Sequence, residues 1–198
     1  VLGTPIQSLQ PTIENLVRME ILVEIEQEDA IRVEFLHWGI SDQLTETMNP
    51  ELLQAMHLKI ARQIERDNPS WMDKARLARH FDHGGRQKQA RELYIQAAEE
   101  SMRNNAFDRA IVLFEKGLAL YGPEREADPI KLLFAEGVLQ PRGSLPKARA
   151  MIEDVVERTQ SYDTKLMMTA KVKLSALFSD SERPDEAEAL IDECLAYY

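Results

Sequence analysis

Two imidazoles three residues apart, His80 and His83 with Asp82 between them, have the helical spacing of a metal-ligand pair. A stable site needs a third and fourth ligand, and none follows nearby. The pair reads as the polar end of a helix before Gly84-Gly85, and no metal is expected. Arg76, Arg79, Arg86, Lys88 and Arg91 gather cations in an otherwise acidic chain. Such a cluster is either balanced by neighbouring acidic helices or docks an acidic peptide or another domain. Glu99-Glu100 and Glu153-Asp154 read as solvated helix faces, and Cys194 as a small buried residue on an apolar face. No nucleophile motif, His-Glu-x-x-His pair, glycine-rich dinucleotide loop or Gly-x-x-x-x-Gly-Lys-[Ser/Thr] phosphate loop occurs. No catalytic residue is expected, and the chain itself is not read as an enzyme.

The elements that must carry these residues change character along the chain. A short helix is expected near Pro11, with Ile13, Leu16 and Val17 on its turns. The period then falls to two, with Ile21, Val23 and Ile25 before Gln27-Glu28-Asp29-Ala30 and Ile31, Val33 and Phe35 after it. This predicts a β-hairpin with one buried face. A helix from His37 to Met48 ends before Asn49-Pro50, a good cap and first residue for the next helix. That helix carries the stripe Leu53, Met56, Ile60 and Ile64, with His57 beside it as a core histidine. The order suggests a small winged-helix-like α+β segment over 1–68.

From Trp71 no strand pattern remains, and glycine, proline or asparagine breaks predict helices over 71–83, 87–104, 107–121, 129–140, 145–159, 162–179 and 184–197. Leu77, Ala78, Phe81, Ala90, Tyr94 and Ala97 recur 97 positions later as Leu174, Ser175, Phe178, Ala187, Ile191 and Cys194. Small and aromatic residues at these offsets let helical hairpins touch and stack, as in a tetratricopeptide-like α-α superhelix, here over 69–198. Ala110 with Phe114 and Ala148 with Ile152 continue the series, so the helix 87–104 serves two neighbouring hairpins. Glu136 stands where a small residue is needed, and the turn Pro141 to Pro146 is expected to shift the register there. The fold class is therefore mainly α: helical repeats behind an α+β headpiece.

Hydrophobic residues are 44% of the chain and charged residues 29%, which supports a packed core. The net charge of −10, with Glu24, Glu26, Glu28, Asp29 and Glu34 in the hairpin and no Lys or Arg in the helix after it, argues against direct nucleic-acid binding. No apolar run is long enough to span a bilayer and the start lacks a signal-type pattern, so a cytoplasmic protein without membrane attachment is expected. The chain opens on Val1 and stops inside a helical pattern, and is expected to be a segment of a longer protein with its repeat array cut short.

The stretch from Val33 to Leu44 with Phe35-x-His37, the Met56-His57-x-x-Ile60-Ala61 helix and the LARHF segment Leu77 to Phe81 together resemble one junction. It is that of the signal-transduction ATPases with numerous domains, in which a nucleotide-binding module of the AAA or NB-ARC-like type precedes a winged helix and helical repeats. Many bacterial members are transcriptional regulators or carry kinase or cyclase modules. The resemblance implies that His37 senses bound ADP in the intact protein, where an imidazole beside a helix N-terminus meets an anion that the macrodipole already favours; in the isolated segment the ring reads as a structural histidine that caps a helix or bonds a backbone carbonyl. The chain would hold no cofactor alone, and ATP or ADP would belong to the parent protein.

The inner-surface positions of the repeats fall on Arg79, Ile95, Met102, Ile130, Leu133 and Val172. This mostly apolar set favours a protein or peptide partner, an intramolecular nucleotide-binding domain or a small effector. The expected function is a non-catalytic sensor and autoinhibitory interaction region of an ATP-dependent signalling protein; the alternative is a plain adaptor tethering protein partners.

Overall fold

The computed structural model describes residues 6–27, 30–67, 73–180 and 183–197. The chain is mainly helical with one two-stranded antiparallel hairpin, and divides into two compact units. The first comprises residues 1–70 with 83–86, and the second residues 71–82 with 87–198.

In the first unit, α1 (Ile6–Arg18) begins before the expected start and takes Pro11 into its body. A proline there forfeits its own backbone donor, and the amphipathic pattern that follows keeps the helix running. The helix closes on Glu20 at φ 56°, where Glu20 N–H donates to Val17 O and Ile21 N–H to Leu16 O. This paired closure satisfies the last carbonyls.

Strands β1 (Leu22–Gln27) and β2 (Ala30–Phe35) form the expected hairpin, but not its single buried face. The register pairs Leu22 with Phe35, Val23 with Glu34 and Glu24 with Val33. Pairing Gln27 with Ala30 sets odd positions opposite even ones. Val23 and Ile25 therefore point to the opposite face from Val33 and Phe35. Val23 and Val33 are half-buried, while Ile25 and Phe35 are exposed. Residues 28 and 29 of the expected turn lie outside the described residues.

Helix α2 (Trp38–Thr47) leads through Asn49 to α3 (Pro50–Asp67). Asn49 Oδ1 accepts from the backbone N–H of Glu51 at 2.8 Å and of Leu52 at 3.3 Å, the capping its position implied. Leu53, Met56, Ile60 and Ile64 are half-buried around the fully buried Ala61. His57 stacks on His83, the ring centroids 4.9 Å apart.

The second unit is the repeat array: α4 (Lys74–His83, whose final residue His83 belongs to the first unit), α5 (Gln87–Arg103), α6 (Phe107–Tyr121), α7 (Ala127–Phe134), α8 (Leu145–Thr159), α9 (Thr164–Asp180) and α10 (Pro184–Tyr197). Trp71 and Met72, expected to open α4, lie outside the described residues. Leu77, Ala78, Phe81, Ala90, Tyr94 and Ala97 are all buried, as are Ala110, Phe114, Ala148 and Ile152. Phe114 stacks on Phe134 with centroids 4.9 Å apart. Helix α5 touches α4 through the Lys74–Glu100 ion pair and packs along α6. It closes at Asn105, φ 57°, with the same paired bonds as α1.

The register of the third hairpin is corrected inside the helix rather than in the turn after it. Residues Ala135–Leu139 continue α7 as a π-turn, whose extra residue carries Glu136 outward to pair with Lys173 and brings Gly137 against Met102. The carboxylates read as solvated faces also work between helices: besides Glu100, Asp154 receives Lys131 Nζ at 2.6 Å, while Glu153 is bonded within α8 by Arg149.

Asp128, in the first turn of α7, is fully buried. Its carboxylate accepts from Arg158 Nε at 3.0 Å and from the Tyr162 hydroxyl, with Lys131 Nζ at 3.5 Å. Arg158 also donates to Pro123 O at 2.9 Å, so one guanidinium ties the end of α8 to the loop before α7. Burial, then the bond to Asp128, pushes the Tyr162 phenol up to about 12. Burial, aided by Asp82, pushes Tyr94 up to about 12 as well.

Both phenols stay neutral in the folded chain after an unfolded tyrosine, near 10, has ionised. Their stabilisation is complete below pH 10 and is lost as pH rises toward 12. Urea unfolding at stepped alkaline pH should show this fall, and Tyr94→Phe with Tyr162→Phe should flatten it. An unchanged slope in the double variant would refute the assignment.

Candidate partner-binding site

Helices α9 and α10 carry an exposed apolar surface. Asp163 Oδ1 caps α9 by accepting from Leu166 N–H at 2.9 Å, and α10 starts on Pro184 with Asp185 and Glu186 in its first turn. Leu174, Phe178, Ala187 and Cys194 bury between them, the Cys194 thiol donating to Met168 O at 3.7 Å. Lys171 pairs with Glu193 and fixes the two helices side by side. Above this layer lies an apolar hollow of about 480 Å³, lined by Val172, Ser175, Ala176 and Ser179 of α9 and Ile191, Cys194 and Leu195 of α10. Val172 is 50% exposed, Ile191 43% and Leu195 69%.

The six inner-surface candidates separate here. Val172 lines the hollow. Ile95 is buried against Gly117 of α6, and Met102 lies against Gly137, so both serve helix packing. Ile130 and Leu133 are half-buried along α7, and Arg79 is exposed on α4, where its charge acts on the Tyr94 phenol. Of the basic cluster, Arg91 pairs with Glu124 and lies 4.1 Å over the Tyr121 ring. Arg76 and Lys88 remain on exposed faces of α4 and α5.

Pattern reading missed Ile191 and Leu195 as surface residues. The signal was there: Leu195 stands where the first repeat has Ala98, and Asp192 where it has Ile95. A large apolar and a charged residue replace two that a covering helix buries.

A second hollow, of about 360 Å³, opens between α8 and α9 beside Leu145, Pro146 and Leu177. The Arg149–Glu153 ion pair, 2.8 Å, lies on its wall, and the Arg149 guanidinium sits 5.1 Å over the Phe178 ring. In the first unit, His37 is the N-cap residue of α2 with extended backbone angles. Its carbonyl accepts from Ile40 N–H at 3.0 Å, while its exposed ring makes no cap bond.

Among solved structures the chain is similar to the nearly identical TPR-like repeats of a Podosopora anserina protein described as a putative kinesin light chain. Identity is 14% over 98% of this chain and 96% of that one, with a TM-score of 0.48. A single-substitution variant of the same repeats gives the same identity and score over 96% and 93%. BtubC (BKLC) from P. vanneervenii matches at 15% identity over 96% of this chain and 88% of that one, also with a TM-score of 0.48. No family model and no curated protein sequence matches the chain. The repeat array itself rests on this chain's own buried small and aromatic positions. Among the described residues no helix is long and apolar enough to cross a membrane.

Proposed function

We propose that the chain is a non-catalytic interaction and regulatory region of a larger ATP-dependent signalling protein, acting in the cytoplasm. Its α+β segment, read as winged-helix-like, reports nucleotide state, and its repeats receive a protein, peptide or small effector. The observation that carries the sensor reading is His37: an exposed imidazole, not used as a cap, at the N-terminus of a ten-residue helix. Such a ring can donate to a phosphate at the end where the helix dipole favours it. The chain would contribute this one contact, and the nucleotide itself would be held by another module.

In the full-length protein, His37→Ala should weaken ADP retention by about tenfold or more, the value of one hydrogen bond to a charged group, and raise basal activity. Equilibrium dialysis with labelled ADP measures it; unchanged retention refutes the sensor. The adaptor reading is favoured by the α9–α10 hollow, which accepts a partner without any nucleotide. It predicts partner binding that is indifferent to ADP.

A further inference from the structure

The hollow between α8 and α9 is built from residues well inside the array: its lining runs from Leu145 to Leu177, α7 packs on α8 and α10 packs on α9. Leu145, Pro146, Ala150 and Leu177 give it an apolar floor, and Arg149 and Glu153 form a polar wall. These two are bonded to each other once. Arg149 Nε donates to Glu153 Oε1 at 2.8 Å, and among the described residues the Nη amines of Arg149 have no acceptor and Oε2 of Glu153 has no donor. A guanidinium can donate from every nitrogen and a carboxylate can accept at both oxygens, so most of the pair's hydrogen-bonding capacity is left for a third group. The centroid of the Phe178 ring lies 5.1 Å from Arg149 Cζ and holds the guanidinium in place. Both polar side chains are half-exposed, so a solute reaches them from water.

The charges on this wall decide the class of ligand. A simple anion would reach Arg149 only by crowding Glu153, and a simple cation meets the converse. A zwitterion laid antiparallel to the pair satisfies both, with its carboxylate on the Nη amines and its ammonium on Oε2. The floor then takes an apolar side chain. At about 360 Å³ the hollow stands at the small end of ligand sites, roughly 300–1,000 Å³, which fits one amino acid rather than a folded segment.

We propose that the α8–α9 hollow binds a free α-amino acid with an aliphatic side chain of leucine size. Its carboxylate lies on Arg149, its ammonium on Glu153 and its side chain against Leu145, Ala150 and Leu177. The proposal rests on the repeats receiving an effector and names the chemical class of that effector.

L-Leucine and three fragments of it serve as probes: isoamylamine, which lacks the carboxylate; isocaproate, which lacks the ammonium; and glycine, which lacks the aliphatic group. Titrated into the whole isotope-labelled chain, leucine should shift the backbone amide resonances of Ala150, Glu153 and Leu177. Each fragment should bind about tenfold more weakly or worse, the value of one hydrogen bond between charged groups or of the buried aliphatic group. Glu153→Gln should lower leucine to the level of isocaproate. Ala150→Leu, which fills the hollow from an exposed position of α8, should remove leucine binding and leave the melting temperature unchanged. Equal binding of isocaproate and leucine would overturn the zwitterion, and shifts confined to α10 would overturn the place. No shift with any probe overturns the amino-acid site alone; the regulatory reading is overturned separately, by unchanged ADP retention in His37→Ala.

Discussion

Asp128→Ala should destabilise the repeat unit by about 3–5 kcal/mol, the usual cost of removing one partner from a buried ion pair. The loss falls on what the carboxylate leaves behind. Lys131 retains Asp154 at 2.6 Å, but Arg158 and the Tyr162 hydroxyl lose their buried acceptor. Against a total stability of roughly 5–15 kcal/mol, this is a large fraction, and the midpoint should fall by roughly 10–20 °C. Asp128→Asn, which keeps the shape and one acceptor, should cost less. Replacing the whole set by Asp128→Leu, Arg158→Met and Tyr162→Phe should recover much of the loss, because apolar groups of similar volume need no partner. Urea unfolding of the three variants distinguishes a buried electrostatic tie from a bystander: equal stability of wild type and Asp128→Ala would show that the network contributes nothing.

That network was not legible in the sequence, for a physical reason. Asp128 reads as an acidic residue near a helix start, a position explained by the helix dipole alone. Nothing in the spacing says that Arg158 and Tyr162, about thirty residues on, converge on it. Helices were legible because each obeys a local rule. Asn49 caps, Pro184 starts a helix, and Leu77 with Ala78 and Phe81 repeats as Leu174 with Ser175 and Phe178.

Where the reading went astray, the deciding quantity was a register. In the hairpin, alternation identifies each strand, but the face it presents depends on which residue pairs with which, and that is set at the turn. Along α7 the period of the small residues breaks at Glu136, and a break can come from a turn or from one extra residue within the helix. The π-turn is the second case, and sequence spacing does not distinguish them. The lining of the α9–α10 hollow was half legible. Val172 was placed by repeat position, whereas Ile191 looked like core because its counterpart Tyr94 is core.

Gly117 and Gly137 test whether the small contact residues hold the array together. Both lie at close helix approaches, but their neighbours differ in compliance. A Cβ on Gly117 would lie 2.6 Å from Ile95 Cδ1, with Ile95 Cγ1 at 3.1 Å and Tyr94 Cβ at 3.4 Å. Those atoms belong to buried side chains, and Ile95 is stiff because it branches at Cβ. A Cβ on Gly137 would meet Met102 Sδ at 2.4 Å, the far part of a flexible, half-buried chain that can turn aside. Gly→Ala within a helix gains about 1 kcal/mol of propensity, and overpacking costs about 1–3 kcal/mol. Gly137→Ala should therefore be neutral or mildly stabilising, and Gly117→Ala destabilising by about 1–2 kcal/mol. Gly117→Leu, which cannot be accommodated between α5 and α6, should cost more than about 3 kcal/mol and loosen the pair. Ile95→Val removes the offending Cδ1. It should cost stability alone, by about 0.5–1.5 kcal/mol, yet partly rescue Gly117→Ala, so that the two changes are less harmful together than their sum. Strict additivity in that cycle would mean that the α5–α6 contact is looser than the fit of Gly117 against Ile95 requires.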